Sequence, residues 1–176
     1  MKVLLREALA SDAETIAMLH AASMRDAYSN VLDAAYLAGP IEEERRAYWE
    51  SELVAAAAGK RVVLAEDQGN AVGFVCVRWP GDPVWGAWVN NLHVSRASRG
   101  KGVGKQLLRA AAAWVTGIDV QSGLHLWVFE ANEPARSFYE HLGGEVAEKS
   151  SSQIPAANGA PIVRVWWRRA ADLLTC

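Results

Sequence analysis

Between residues 92 and 108 the chain reads Leu92-His93-Val94-Ser95-Arg96-Ala97-Ser98-Arg99-Gly100-Lys101-Gly102-Val103-Gly104-Lys105-Gln106-Leu107-Leu108: an apolar strand end joined to an amphipathic helix by a loop with three glycines. Such a loop forces the helix to begin against the end of a sheet. Lacking a Cβ, Gly100, Gly102 and Gly104 can take positive φ and let successive N–H groups converge on one anion. The helix adds its unpartnered first-turn N–H groups and the positive end of its dipole. Arg99, Lys101 and Lys105 supply mobile positive charge around that concavity. A pyrophosphate is the ligand expected there.

Spacing separates the anion loops that could be meant. The pattern G-x-x-x-x-G-K-[ST] needs glycine at 99 and a hydroxyl at 106, where Arg99 and Gln106 stand. The dinucleotide pattern G-x-G-x-x-G from Gly100 needs glycine where Lys105 stands, and no acidic residue ends a second strand at the required distance. What remains, Arg99-x-x-Gly102-x-Gly104 after Leu92-His93-Val94, is similar to the coenzyme A signature of the GCN5-related N-acetyltransferase (GNAT) family. A second block, Asn132-Glu133-Pro134-Ala135-Arg136-Ser137-Phe138-Tyr139-Glu140-His141-Leu142-Gly143, resembles that family's N-x-x-A-x-x-F-Y-E-x-x-G segment and follows a predicted strand, Leu124 to Phe129. Together the blocks span Trp88 to Gly144. The chain departs from the pattern after Gly143, where the usual bulky aromatic is replaced by Gly144.

Composition agrees with an enzyme-sized globular unit. At 176 residues with 51% hydrophobic and 22% charged content, the chain suits one domain with a sizeable core, here taken as 1–176, and not a disordered segment. The formal net charge of −2 suggests neither a nucleic-acid partner nor attraction to an anionic membrane. No apolar run reaches the length of a membrane span, and charge interrupts Met1 to Glu7 too soon for a signal peptide, so the cytoplasm is the expected compartment. Cys76 and Cys176 read as free thiols, Cys76 as a small buried hydrophobe.

Periodicity predicts an alternation of elements. Val3 to Glu7 reads as a strand, and Ser11-Asp12-Ala13-Glu14 as a capping box opening a helix with Ile16, Leu19 and His20 on one side. Residues 23–40 read as irregular, anchored by Tyr28, Leu32, Tyr36 and Leu37, before a helix from Ile41 to Ala58. A hairpin follows about Asp67-Gln68-Gly69-Asn70, then a turn at Pro80-Gly81-Asp82-Pro83 and a strand from Val84 to Ser95. Helices over Lys101 to Thr116 and through Tyr139 alternate with the strand at 124, and strands near Glu145 to Ser150 and Ile162 to Arg168 close the chain. The order β-α-α-β-β-β-α-β-α-β-β makes this an α/β (α+β) chain. It resembles the family's mixed, mostly antiparallel sheet of six to seven strands with helices on both faces.

The resemblance implies a site. The strands ending at Val94 and near Phe129 would diverge, and the acyl-pantetheine arm of acetyl-CoA would enter the gap. The arm would pair with backbone at Leu92, His93 and Val94, while the pyrophosphate rests on Arg99, Gly100, Lys101, Gly102, Val103, Gly104 and Lys105. Asn132 would hold the pantetheine or cap its helix, with Ala135 and Tyr139 alongside. No metal is implied. The reaction implied is attack of an amine on the thioester, so the amine must lose the proton it carries below a pKa of ~10.4, and the departing thiolate is helped by an acid. Tyr139 aligns with the tyrosine that commonly serves as that acid.

The proton acceptor is less plainly marked. Many relatives carry a glutamate on the strand before the glycine loop, whereas Trp85 to Val94 holds no carboxylate. Asn90 and Asn91 can order a relaying water, and His93 has a suitable intrinsic pKa, although strand alternation turns it away from its two neighbours, where it can simply pack under a helix. Glu130, at the end of the other strand, is a remote carboxylate or a solvated strand end. Trp79, Trp85, Trp88, Trp166 and Trp167, five of eight tryptophans, wall an acceptor pocket or cover the core. The expected acceptor is a small-molecule or peptide amine, selected by residues 23–40 and 151–161, with a homodimer left open. The alternative is an acyl-CoA-binding regulatory or interaction protein of the same fold without turnover.

Overall fold

The structure is a computed structural model that describes residues 3–54 and 59–175. Seven strands form one sheet in the order β1-β2-β3-β4-β5-β7-β6. They are β1 (Leu4–Glu7), β2 (Lys60–Asp67), β3 (Asn70–Asp82), β4 (Gly86–Val94), β5 (Leu124–Phe129), β6 (Glu145–Ser151) and β7 (Pro161–Trp167). Every neighbouring pair is antiparallel except β4 and β5, which run parallel and pair only at Ala87 with Leu124 and Trp88 with His125. The hairpin between β2 and β3 turns on Gln68 and Gly69, at φ 51° and 80°. Positive φ at both central residues gives the turn the twist of its strands.

Six helices are present among the described residues: α1 (Ala13–Ala27), α2 (Ala34–Ala38), α3 (Ile41–Val54), α4 (Val103–Ile118), α5 (Glu133–His141) and α6 (Asp172–Thr175). The apolar stripe of α4, Val103, Leu107, Leu108, Ala111, Ala112 and Val115, is fully buried. With α5 it covers the sheet face made by Val75, Val77, Val89, Leu126, Val128 and Val165. On the other face Ile16, Ala17 and Trp49 of α1 and α3 pack on Val62, Leu64, Phe74 and Cys76. The strands alternate sides, so one sequence feeds both cores.

Several boundaries differ from the sequence reading. The Ser11 to Glu14 box is not used: Asp12 accepts from the Leu9 N–H at 2.7 Å and binds Arg6 at 2.7 and 2.8 Å, while Glu14 pairs with Arg46. A carboxylate already held by an arginine beats a hydroxyl as a cap. Helix α1 continues through Ala27 and α2 follows, so residues 23–40 are mostly ordered into helix rather than irregular. The expected end of the second long helix, at 55–58, lies outside the described residues, as does Cys176. Strand β3 runs through Pro80 and Gly81 to Asp82, and the turn comes after it, where Asp82 accepts from the Val84 and Trp85 N–H groups at 2.8 and 3.1 Å.

Gly144 is explained by a residue far along the chain. A Cβ there would lie 2.5 Å from Val165 Cγ1 and 2.8 Å from Trp167 Cζ2, because the Trp167 indole occupies the space. Its Nε1 donates to the Leu142 carbonyl at 2.8 Å, tying the end of α5 to β7. An aromatic from β7 thus fills the volume that the usual residue after Gly143 would take.

Beneath α1 lie two buried histidines with ring centroids 4.4 Å apart. His20 Nδ1 accepts from Trp49 Nε1 at 3.1 Å, and His93 Nδ1 is 3.0 Å from Ser23 Oγ. Burial drives the pKa of His93 down to about 4 and that of His20 well below its ordinary value. Further along the same face of the sheet His125 is also lowered to about 4, by burial and by the Arg164 guanidinium. All three are neutral in the folded protein at neutral pH.

Two outcomes follow from this packing. Gly144→Phe should lower stability by about 1–3 kcal/mol through overpacking, and Trp167→Ala in the same chain should restore part of that loss, read as a double-mutant cycle of urea midpoints. Acid should also destabilise the fold. Above pH 6.5 the histidines are neutral folded and unfolded; as pH falls from there towards 4 only the unfolded chain takes up protons, so stability is lost across that window. For His93 alone this amounts to about 3 kcal/mol. Thermal midpoints measured from pH 7.5 to 4.5 check it, and His93→Gln should flatten the slope.

Candidate active site

Parallel strands β4 and β5 are pinned at one end and free at the other. At the base, Gly86 has φ 82° and approaches Gly123 so closely that a Cβ would lie 2.2 Å from its carbonyl oxygen. The Ala87 N–H donates to that same oxygen at 2.9 Å. Beyond Trp88 and His125 no cross-strand pair forms, and a cleft of about 830 Å³ opens. Its lining brings together the glycine loop, β4 from Val89 to Val94, β5 from Leu126 to Val128, Asn132, Ala135 and Tyr139, and Tyr28 beyond α1. The edge of β4 that faces it has backbone groups without a ladder partner, which a ligand strand or water must satisfy.

The glycine loop forms an open hollow at the start of α4. Gly100 and Gly102 have φ of 73° and 81°, and Gly102 is the N-cap of α4. A Cβ on either would meet nothing within 4 Å, so the space before them is open. The N–H groups of residues 100–105 have no hydrogen-bond partner among the described residues. Gly104 departs from expectation: it lies inside α4 without positive φ, and its reason is proximity, since a Cβ would sit 3.2 Å from Phe138 Cζ. Arg99 also departs, for its guanidinium is not mobile. It is bound to Asp26 of α1 and donates through Nε to the Val94 carbonyl at 3.2 Å, while Arg96 holds the same Asp26 at 3.0 Å. Lys105 lines the cleft; Lys101 is exposed and does not.

Tyr139 faces the cleft from α5, packed by Phe138 and Trp167 at centroid distances of 5.2 and 6.0 Å. Burial, reinforced by the neighbouring Tyr28 phenol, raises its pKa, so it keeps its proton at neutral pH and can serve as a proton donor. Its hydroxyl has no protein partner among the described residues. Asn132 caps α5, accepting from the Ala135 N–H at 3.3 Å, and also lines the cleft, so both roles considered for it remain compatible. Tyr28, expected only as an apolar anchor, meets Phe129 edge to face at 5.1 Å and lines the cleft; a phenol among anchors carries no sequence signal of its own.

The candidate proton acceptors are spread out. His93 faces α1 and its Nδ1 is engaged by Ser23, while its lowered pKa leaves the ring a weak base. Asn91 lines the cleft. Asn90 does too, because a bulge opposite Cys76 and Val77 leaves it without a cross-strand partner. Glu130 is not in the lining: Lys149 holds it at 2.5 Å and keeps its carboxyl below the usual range. Trp79, Trp85, Trp88, Trp166 and Trp167 do not line the cleft either, whereas Trp127 does. Trp166 and Trp167 do take opposite faces, Trp167 in the core and Trp166 against Trp85 at 5.2 Å. Cys76 is fully buried and burial pushes its thiol up to about 11, which suits a core residue.

The comparisons agree with this geometry. The Acetyltransferase (GNAT) family model matches residues 16–144. PaiA N-acetyltransferase from Thermoplasma acidophilum, in complex with coenzyme A, is similar at a TM-score of 0.77 and 19% identity over 93% of this chain and 98% of that one. A variant of spermidine N-acetyltransferase SpeG from Vibrio cholerae gives 0.68 and 16% over 98% and 96%. YncA from Salmonella typhimurium, with its cofactor acetyl-CoA, gives 0.67 and 14% over 95% and 94%. No curated protein matches this chain. At these identities the solved structures share the fold, and the family match adds the motifs: this chain belongs to the Acetyltransferase (GNAT) family.

Proposed function

We propose that this chain is an acetyl-CoA-dependent N-acetyltransferase that acts on a primary amine of a small molecule or peptide by direct attack. The observation that carries the reading is one continuous cleft that joins an open cradle of unpartnered N–H groups, an unpaired strand edge and a protonated phenol. When bound, acetyl-CoA supplies the acetyl group activated as a thioester. The N–H groups of residues 100–105 and Lys105 receive the pyrophosphate, and the β4 backbone from Leu92 to Val94 aligns the pantetheine arm. Tyr139 gives its proton to the departing sulfur as the new C–N bond replaces C–S, and recovers one, through water, from the nitrogen that has attacked.

Among the described residues Asp26 is the one carboxylate lining the cleft and its charge is taken by Arg96 and Arg99, so none of them there is free to strip the amine of its proton. Water ordered by Asn90 and Asn91 carries that proton away. The same absence favours the second reading, a cofactor-binding protein without turnover. Thiol release from acetyl-CoA in the presence of primary amines separates the two.

Two substitutions test the assignment. Gly102→Asp should abolish coenzyme A binding in isothermal titration while the domain stays folded, because a carboxylate enters the cradle and a Cβ strains a positive φ. Unchanged affinity would remove the loop from the site. Tyr139→Phe keeps the packing and should leave acetyl-CoA affinity unaltered while lowering kcat by about 10–10³-fold, measured where chemistry limits the rate.

A further inference from the structure

Asn90 is fixed from behind by a chain of groups that the cofactor cleft does not otherwise need. Its Nδ2 donates to the Tyr48 hydroxyl of α3 at 3.0 Å. Arg78 of β3 lies beside the same phenol and is itself held by Glu52 of α3 at 2.6 Å; Lys60 of β2 closes on Glu52 at 3.3 Å. Tyr48 lies outside the cleft lining, whereas Asn90 is part of it. The bulge is what makes this geometry available. Val89 pairs with Val77 on the α4 side and Asn91 with Cys76 on the α1 and α3 side, so the extra residue, Asn90, turns to α3 as well. In this orientation of the amide Nδ2 faces the Tyr48 hydroxyl. Its Oδ1, which has no partner among the described residues, is left for the cleft.

We propose that Asn90 Oδ1, positioned through the contact of its amide with Tyr48, is the hydrogen-bond acceptor that seats the attacking amine, in a subsite suited to a monoamine with an uncharged body. This rests on the acyl-transfer reading above. An amide oxygen accepts an N–H and points the nitrogen lone pair without needing a charge. Around it Asn91, Asn30, Tyr28 and Trp127 line the cleft without charge, and Asp26 in the same lining is paired with Arg96 and Arg99. Arg78 lies behind Tyr48, and the guanidinium of Arg45 stands 5.3 Å from its ring centroid. A second ammonium on the acceptor would find cations and no free carboxylate, a like-charge arrangement that opposes binding. Tyr48 acts through Asn90 and is a positioning residue.

The test uses the full chain with acetyl-CoA and a panel of primary amines that includes phenethylamine and spermidine. The amine turned over fastest then serves for Asn90→Ala, Tyr48→Phe and the double variant. Asn90→Ala should lower kcat/KM for the amine by about tenfold and Tyr48→Phe by about threefold, as expected for loss and loosening of one neutral hydrogen bond. KM for acetyl-CoA should stay within about twofold of the parent, and the double variant should match Asn90→Ala alone, since Tyr48 works only through it. Unchanged amine kcat/KM in the two single variants, fully additive losses, or a parallel rise in KM for acetyl-CoA would overturn the proposal, as would spermidine being the best acceptor. Tyr48→Phe keeps the ring and decides the matter by itself if Asn90→Ala does not fold. Turnover of no amine while coenzyme A still binds would remove the acyl-transfer reading, and this inference with it.

Discussion

Two residue pairs tie β4 to β5, and the rest of the molecule is arranged around that short contact. Gly86 and Gly123 bring the two backbones together at one end more closely than any side chain would allow. Past that end, each strand has an antiparallel neighbour on its outer side: β3 holds β4 as far as Val94, and β7 holds β5 as far as Phe129. The strands can therefore part without fraying, because half of their hydrogen bonds are secured elsewhere. What the parting exposes is a strip of backbone that must find partners, and such a strip recognises an extended ligand arm without any special side chain.

The two faces of the sheet carry different work. On the α4 and α5 side the core is mostly aliphatic, with Tyr139 and Trp167 at its α5 end, and it fixes the N-terminus of α4. On the α1 and α3 side the core mixes rings with polar groups: His20, His93, Phe74 and Trp49 in mutual contact, and Tyr48, Arg78 and Glu52 linked to Asn90. Asp26 at the end of α1 joins the sides by holding Arg99, so the arginine of the cofactor motif serves first as a tie between α1 and the end of β4. Residues 23–40 and 151–161 also meet here. Asp33 donates its N–H to the Ala156 carbonyl at 2.8 Å, and Leu32, Leu37, Phe129 and Ala157 share a small core.

Much of this was legible in the residues because it depends on local chemistry. A strand end, three glycines and an amphipathic helix admit few backbone paths, and the second block with Asn132 and Tyr139 placed a cap and a phenol in order. The hairpin at Gln68 and Gly69 and the burial of Cys76 follow from turn chemistry and from apolar context. Such features are decided within about ten residues of chain and survive whatever packs around them.

The remainder depended on partners distant in sequence. That Gly104 is glycine for Phe138, that Trp167 replaces an aromatic after Gly143, that Arg99 is tethered and Glu130 is turned to Lys149 are all facts of contact between residues tens of positions apart. Strand alternation could turn His93 away from its neighbours, but only the bulge opposite Cys76 and Val77 puts Asn90 and Asn91 on the same side. The sequence by itself determined the family, the order of the strands and long helices and the glycine loop, since each is written in contiguous residues. The tertiary structure decided which side chains share the cleft and which are committed elsewhere, because register, bulges and helix contacts bring residues together by distance in space rather than along the chain.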